Sequence, residues 1–298
     1  MGSVLYKLFN TNLSHYTCHS VKDITVFDIT VFDITVFDIT VFIVNCKMRQ
    51  TKKKICNLRC TVFEPNILNK ENLHLVILCH GYGAPGNDLV SVGEFLCQKD
   101  SYISENFCFI FPEGPLTLDN IGLYGSRAWW NIDLIAHQRA IDGIDPRDYS
   151  KNIPNGMPLA SNMLMDLVNK IILDYSVSSN RIILGGFSQG SMITTDVALR
   201  MNEPPGGLIV MSGTLVCEEI WMELAKKRGV LNIIQSHGKS DPLLSFAAAE
   251  RLRGLFLKAE LEHKFLPFDG FHEIPESVLL YTSKFIKEFS NQNKTILL

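Results

Sequence analysis

The sequence lacks the signatures of several functional classes. Its eight cysteines include no CxxC pair, and without that spacing neither a zinc site nor a thioredoxin-like redox site is expected. No glycine-rich phosphate loop precedes a lysine, which argues against nucleotide hydrolysis. The formal net charge of −3 offers no basic surface for nucleic acid. We therefore expect no metal, no cofactor and no nucleic-acid partner.

The sequence also contains little that would place it in or across a membrane. Residues 24–46 are long enough for a transmembrane helix. However, Asp28, Asp33 and Asp38 would each cost about 2.5–3.5 kcal/mol near the centre of such a helix. The residues before them hold no continuous apolar stretch of the kind found in signal peptides. Together with the cysteine spacing, this predicts no stable membrane span and a reduced, cytoplasmic location.

The N-terminal region carries an exact tandem repeat. Asp-Ile-Thr-Val-Phe occurs four times in residues 23–42, with a period that suits neither a strand nor a helix. The basic cluster at residues 49–54 is interpreted as a solvated linker. We predict that residues 1–55 form a disordered extension and that residues 56–298 form the folded domain. Deletion of the extension is expected to leave activity within a few-fold.

Beyond residue 56, short apolar runs alternate with longer amphipathic stretches. For example, the run at residues 230–236 is followed, at residues 245–259, by apolar residues at helical spacing. This alternation predicts an α/β fold in which a mostly parallel sheet carries helices on both faces. The first run, at residues 58–64, precedes the alternation and is interpreted as an antiparallel edge strand.

The segment Gly186-Phe187-Ser188-Gln189-Gly190 follows an apolar run and opens a helix-like stretch. A G-x-S-x-G sequence in this context is typical of a sharp strand-to-helix turn that exposes a nucleophile. Small residues two positions before and after the serine let the chain fold past itself. We therefore interpret Ser188 as a nucleophile at the carboxyl end of the sheet. The alternative is an ordinary helix cap after a glycine turn.

A serine hydroxyl needs a general base, which follows the nucleophile and the acid in this kind of elbow. Three histidines lie downstream of the serine. His272 stands in a glycine-containing loop after the last predicted strand, where a base is expected. His263 is interpreted as a surface residue, and His237 ends a strand close to the expected acid. We therefore predict that His272 is the base.

The acid that orients the base is predicted to be Asp241, in a turn that follows the strand at residues 230–236. An ordinary turn or cap residue is the alternative for this position. Asp269 is the rival acid, but it lies only three residues from His272. In the predicted mechanism Ser188 attacks an acyl carbon, His272 transfers the proton, and Asp241 fixes the histidine tautomer.

An oxyanion hole needs two hydrogen-bond donors, which are commonly backbone N–H groups. One is predicted at Gln189, directly after the nucleophile, and the second at Tyr82, in the loop that follows an early buried strand. Side-chain contacts of both residues with substrate stay open. His80, directly before the glycine turn of this loop, is interpreted as a structural histidine that bonds the loop backbone, with a base as the less favoured alternative.

Four blocks of the sequence now resemble one known family. They are His80-Gly81-x-Gly83, Gly186-Phe187-Ser188-Gln189-Gly190, His237-Gly238-x-x-Asp241-Pro242 and Gly270-x-His272-Glu273-Ile274-Pro275. In this order, over about residues 60–290, they are similar to the phospholipase/carboxylesterase family of α/β-hydrolases, which includes acyl-protein thioesterases. The resemblance implies an α/β-hydrolase catalytic domain and esterase chemistry. It assigns the same triad and the same oxyanion donors.

The sequence departs from the family pattern at two places. Ser191 stands where many relatives have a glycine, and residues 125–133 resemble the carboxylesterase branch more than the animal thioesterases. Trp129 and Trp130, within that segment, are predicted to wall the acyl pocket and bind substrate. Ordinary packing of the two rings is an equal alternative.

The function predicted from these residues is a serine hydrolase that cleaves carboxylic ester or thioester bonds through an acyl-enzyme. Small acyl esters, lysophospholipids and S-acylated proteins are all open as substrates. A non-catalytic ligand receptor with a hydrolase fold is one alternative. An acyltransferase that uses the same triad is another, because only exclusion of water separates it from a hydrolase. A homodimer also stays open.

Overall fold

An eight-stranded sheet organises the computed structural model, which describes residues 48–132 and 149–295. The chain divides into two units, Met1–Lys47 and Met48–Leu298. The first unit contains the tandem repeat and lies outside the described residues, and so does the disorder predicted for it. The fold described below is that of the second unit.

The sheet is mostly parallel, as predicted. Its strands are β1 Met48–Ile55, β2 Leu58–Pro65, β3 His74–Cys79, β4 Phe107–Pro112, β7 Ile182–Phe187, β8 Gly207–Met211, β9 Asn232–Gly238 and β10 Glu262–Phe268. They lie in the order β1-β2-β4-β3-β7-β8-β9-β10. Strand β2 pairs antiparallel with β1 and β4, and the remaining neighbours pair in parallel. Two short strands, β5 Leu116–Thr117 and β6 Arg127–Ala128, form a separate antiparallel pair.

Helices cover both faces of the sheet. They are α1 Val90–Lys99, α2 Ser101–Asn106, α3 Met157–Tyr175, α4 Gln189–Arg200, α5 Glu218–Lys226, α6 Phe246–Lys258 and α7 Glu276–Thr295. Alternate residues of β3 enter opposite cores, because successive side chains of a strand point to opposite faces. Leu75 and Ile77 pack with helices α3 to α6, whereas Val76 and Leu78 pack with α1, α2 and α7. None of the helices in the described ranges is long and apolar enough to cross a membrane.

The edge of the sheet differs from the prediction. Strand β2 is antiparallel, but it is the second strand, because β1 pairs with it along its whole length. The predicted boundary between residues 55 and 56 therefore falls in the turn of a hairpin, and residues 48–55 belong to the sheet. Three consecutive lysines hide the alternation of this strand in the sequence. Lysines on an edge strand also oppose pairing with other chains.

Two of the basic residues of β1 hold a buried carboxylate. Arg49 and Lys53 lie 2.7 and 3.5 Å from Glu64, whose side chain is 2% exposed. The Tyr175 hydroxyl, from α3, donates a third bond at 3.0 Å. Burial by itself raises the pKa of Glu64, but the bonds from Arg49 and Tyr175 outweigh it and the pKa is lowered. The basic cluster is thus part of the fold and not a solvated linker.

This arrangement changes what truncation is expected to do. A chain of residues 56–298 should lose about 3 kcal/mol of unfolding free energy relative to residues 48–298, because Glu64 loses the two cations that pair with it and β2 loses its partner strand. Urea denaturation of the two truncated chains measures the difference. Equal stabilities would show that β1 does not stabilise the fold, and the folded domain would then begin at residue 56, as the sequence predicts.

Candidate active site

Ser188 stands at a strained turn between β7 and α4. Its φ and ψ angles are 55° and −121°, and a positive φ is uncommon for a residue other than glycine. The turn is held by the backbone N–H of Ser188, which donates to the Met211 carbonyl on β8 at 2.8 Å. Ser188 itself stays partly exposed. The strained, accessible serine is what the G-x-S-x-G context predicts.

Two glycines make this turn sterically feasible. A Cβ atom on Gly190 would lie 1.9 Å from the Cys79 carbonyl oxygen at the end of β3, and one on Gly186 would lie 2.4 Å from the Gly190 backbone. Larger residues would therefore push β3 away from the turn. Ser191, the departure from the family pattern, is accommodated because its hydroxyl donates to the Ser188 carbonyl at 2.7 Å.

His272 and Asp241 meet across two neighbouring loops. Nδ1 of His272 lies 2.6 Å from Oδ2 of Asp241. The loops are joined by a backbone bond from the Ser240 N–H to the Gly270 carbonyl at 3.0 Å. Because an ionised carboxylate only accepts hydrogen bonds, Nδ1 carries a hydrogen and Nε2 is the nitrogen left for proton transfer. The His272 ring packs on Phe187, directly before the serine, with 4.7 Å between ring centroids.

The Asp241 carboxylate is bound on both oxygens. The backbone N–H groups of Leu243 and Leu244 each donate to Oδ1 at 2.9 Å. Nε2 of His237 lies 3.3 Å from Oδ2. Burial by itself raises the pKa of Asp241, but the hydrogen bonds from His237 and His272 outweigh it and hold the pKa well below its usual range. Asp241 is therefore a stable anion beneath His272.

The other acid and base candidates are engaged elsewhere. Asp269, the rival acid, is 90% exposed and pairs with Lys239 at 2.8 Å. His263 is half-buried instead of lying on the surface, and its Nε2 contacts the Gln235 side chain at 2.9 Å. Neither residue contacts His272. The contact of His237 with Asp241 was not predicted, although the two residues lie close together in the sequence at a strand end.

The loop after β3 approaches the nucleophile closely. A Cβ atom on Gly81 would lie 3.3 Å from the Ser188 Cβ. His80 holds this loop. Its Nε2 accepts from the Gly114 N–H at 2.9 Å, so Nδ1 carries the hydrogen and donates to the Gly81 carbonyl at 2.8 Å. Burial lowers the pKa of His80 to about 4. This is the structural role predicted for His80.

Both predicted oxyanion donors are backbone groups at this junction. The Tyr82 N–H has no hydrogen-bond partner in the part of the chain that the structure describes, whereas the next N–H, of Gly83, donates to the Arg127 carbonyl at 2.9 Å. The Gln189 N–H opens α4, where the first N–H groups of a helix lack intrahelical acceptors. Two donors are thus available beside Ser188.

Trp129 and Trp130 are buried in the hydrophobic core. The two residues are 1% and 3% exposed. The Trp129 indole N–H donates to the His80 carbonyl at 3.0 Å, which satisfies a buried donor. The Gln189 side chain accepts from the Trp129 N–H and donates to the Trp130 carbonyl, both at 2.9 Å. These contacts favour the packing alternative for all three side chains, and their contact with substrate stays a prediction.

Within residues 48–132 and 149–295, no group of three or more histidine, cysteine, aspartate or glutamate side chains could hold a metal ion. The groups that the structure brings together at this site are the Ser188 turn, the His272 ring, the Asp241 carboxylate and the backbone N–H groups of the loop after β3. A partly exposed serine, an oriented histidine and an ionised aspartate together suit acyl transfer.

Comparison with known proteins identifies the family of this chain. Residues 64–290, well over half of the chain, match the family model of phospholipases and carboxylesterases. The chain belongs to the phospholipase/carboxylesterase family. It is a serine hydrolase of ester or thioester bonds and acts on acyl substrates, and the family, activity and enzyme class predicted from the sequence are confirmed.

Relatives of this chain include two acyl-protein thioesterases. The chain is 25% identical over 220 residues to acyl-protein thioesterase 1 of Debaryomyces hansenii, covering 72% of this chain and 90% of that protein. It is 25% identical over 221 residues to acyl-protein thioesterase 1 of Candida albicans, covering 71% and 90%. These alignments span nearly the whole of both relatives.

Solved structures show the same fold. The crystal structure of esterase PE8 superposes with a TM-score of 0.63 at 22% identity, covering 82% of this chain and 99% of that one. SOBER1 of Arabidopsis thaliana superposes with a TM-score of 0.59 at 21% identity, covering 72% and 98%. The α/β-hydrolase fold predicted from the sequence is confirmed.

We predict that Gly190→Ala abolishes activity and lowers the melting temperature, because the new methyl group would collide with the Cys79 carbonyl. The matched control is Gly254→Ala in α6, where a Cβ atom meets nothing within 4 Å. Because alanine loses less backbone entropy on folding than glycine does, the control should be more stable than wild type by about 0.5–1 kcal/mol. Thermal unfolding and ester hydrolysis of both variants measure the difference. Equal melting temperatures and equal activities of the two variants would contradict the prediction.

A second prediction concerns stability against pH. The pKa of Asp241 is lower in the folded chain than its usual value of 3.8. Its ionised form therefore stabilises the fold above that value, and this contribution is lost as the pH falls. Asp241→Asn should lower the melting temperature at about pH 6, and the gap from wild type should narrow towards about pH 3. A gap that stays constant would contradict the assignment of this anion.

Proposed function

We propose that Ser188, His272 and Asp241 are the catalytic triad of this hydrolase, and that its physiological substrates are S-acylated proteins. The observation that carries the triad is the 2.6 Å contact of His272 Nδ1 with the buried Asp241 carboxylate. It leaves Nε2 of the same ring, packed beside the serine turn, as the base. The substrate class is supported by two acyl-protein thioesterase relatives that align over 90% of their length.

The reaction follows from the placement of these groups. The Ser188 hydroxyl attacks the carbonyl carbon of the acyl group while His272 Nε2 takes its proton. Negative charge then develops on the carbonyl oxygen, and the N–H groups of Tyr82 and Gln189 receive it. Asp241 stabilises the imidazolium. Because Asp241 stays ionised at neutral pH, this stabilisation is available throughout the cycle.

Loss of the leaving group completes acylation, and the same groups then serve deacylation. The tetrahedral intermediate collapses, the carbon–sulfur or carbon–oxygen bond to the leaving group breaks, and His272 protonates the departing thiol or alcohol. An acyl ester on Ser188 remains. Water then enters, loses a proton to His272 and attacks the acyl carbon to form a second tetrahedral intermediate. When this intermediate collapses, the bond from the acyl carbon to the Ser188 oxygen breaks, His272 returns the proton to that oxygen, and the carboxylic acid leaves.

Two other readings of the same residues lead to different results. A ligand receptor would bind acyl compounds without forming an acyl-enzyme, although nothing about such a role requires a triad and an oxyanion site together. An acyltransferase would form the acyl-enzyme and pass the acyl group to an added alcohol in preference to water. Smaller acyl esters and lysophospholipids are the alternative substrates for the hydrolase itself.

We further propose a cytoplasmic location, supported by the described cysteines, which are all free thiols. A fluorescent fusion of the full chain tests it. The homodimer stays a prediction that light scattering of the purified chain can test.

We predict that Ser188→Ala lowers kcat on p-nitrophenyl esters and on an S-palmitoylated peptide by at least about 1,000-fold, because it removes the nucleophile. Ser191→Ala is the matched control. Its hydroxyl bonds only the Ser188 carbonyl in the described structure, and it should keep activity within about tenfold of wild type. Mass spectrometry after a fluorophosphonate should find the adduct on Ser188.

The substrate comparison separates the remaining readings. A kcat/KM that is highest on the S-palmitoylated peptide supports the proposed substrate class, and a higher value on short esters or on a lysophospholipid overturns it. Preferential transfer to an added alcohol would favour the acyltransferase. Wild-type activity in Ser188→Ala would overturn the triad.

A further inference from the structure

Two histidines share one oxygen of the proposed catalytic aspartate. Oδ1 of Asp241 is occupied by two backbone N–H groups. Oδ2 is contacted by His272 Nδ1 at 2.6 Å and by His237 Nε2 at 3.3 Å. The mechanism described above uses the first of these histidines only. A second imidazole on Oδ2 should affect how strongly this oxygen binds the N–H group of His272.

The hydrogen-bond partners of His237 fix where its proton lies. Nε2 also lies 2.8 Å from the Leu244 carbonyl oxygen. Because a carbonyl oxygen only accepts, Nε2 carries a hydrogen, which is directed between the Leu244 carbonyl and Asp241. Nδ1 is buried and has no partner in the described part of the chain. The side chain is 0% exposed, so His237 has no direct access to substrate and cannot replace His272 as the base.

We propose that His237 is a positioning residue, which acts on the reaction through Asp241. Its Nε2–H joins the carboxylate to the Leu244 carbonyl and so holds the turn from Asp241 to Leu244 in one orientation. It also draws charge from Oδ2, which moderates how strongly Asp241 holds the proton of His272. This inference rests on the proposed triad, because His237 matters to the rate only if Asp241 orients the base.

The surroundings of this pair contain few competing charges. The side chains that act on Asp241 are the two histidines. Lys239, two residues before Asp241, is engaged with Asp269 at 2.8 Å. The Phe246 ring of α6 lies 6.2 Å from the His237 ring, and Pro267 is its register neighbour on β10. Both of these are uncharged, so removal of the His237 donor should act mainly on Asp241.

The test compares three substitutions in the full chain. His237→Leu removes the donor while keeping an apolar side chain in the space. His237→Asn keeps polarity but is too short to reach Oδ2. His237→Gln can place an amide N–H where Nε2 lies. The measurement is kcat and KM for a p-nitrophenyl ester from about pH 5 to about pH 9, which covers the titration of a histidine base.

Loss of the donor should make Asp241 a stronger partner for protonated His272. We expect the acid limb of the kcat/KM profile to move upward by about half a pH unit in His237→Leu and His237→Asn. We expect kcat to fall about tenfold, because the carboxylate is less firmly oriented, with KM within about twofold. His237→Gln should restore most of kcat and the wild-type profile. If His237→Leu fails to fold, the difference in kcat and in the acid limb between His237→Asn and His237→Gln tests the role of the donor.

The control is His263→Gln, which changes a histidine whose ring contacts Gln235 and not Asp241, and its profile should match wild type. Unchanged profiles in the Leu and Asn variants would overturn the inference. So would equal loss in the Asn and Gln variants without movement of the acid limb, because that pattern indicates space-filling alone. Ser188→Ala, measured beside them, separates the two proposals: if it stays active the triad itself fails, whereas if it is inactive only the role of His237 is at issue.

Discussion

The close approach of β3 to the turn between β7 and α4 is the constraint on which the rest of the site depends. The carbonyl groups at the end of β3 lie where a side chain on Gly190 would stand. This contact brings the loop after β3 within van der Waals range of Ser188. One steric requirement therefore joins the nucleophile turn to the segment of Tyr82, the proposed second oxyanion donor, which lies about a hundred residues earlier in the chain.

Two buried ionisable groups around this junction take opposite charge states. His80 is buried with a backbone donor on one nitrogen and a backbone acceptor near the other, so its neutral form is favoured. Asp241 is buried with several donors directed at its oxygens, so its charged form is favoured. Burial favours the neutral form of both groups, and at Asp241 the hydrogen bonds from His237 and His272 outweigh it.

Much of this arrangement could be predicted from the sequence. The alternation of apolar runs and amphipathic stretches predicts the parallel sheet, and chain order then brings Ser188, Asp241 and His272 to one end of it. Strand β1 could not be predicted, because three consecutive lysines conceal its alternation of polar and apolar residues. Its basic side chains also pair with a buried carboxylate on another strand, and the sequence does not show that contact. The contact of His237 with Asp241 was also missed, since the spacing of two residues does not reveal which way a turn directs their side chains.

The bonds between Gln189 and the tryptophan pair were also not predicted from the sequence, and they affect how such an enzyme can diverge in evolution. Gln189 supplies a backbone donor beside the nucleophile, while its side chain is bonded to the backbone of Trp129 and Trp130. No local sequence pattern in the segment around Trp129 and Trp130 indicates that their backbone bonds a side chain about sixty residues further along the chain. Because one residue joins that segment to the nucleophile turn, a lineage that remodels the segment for a new acyl group also disturbs the donor next to the serine. Changes of specificity in this protein should therefore arise first in loops without such a tie, where selection can alter recognition and leave the chemical step intact.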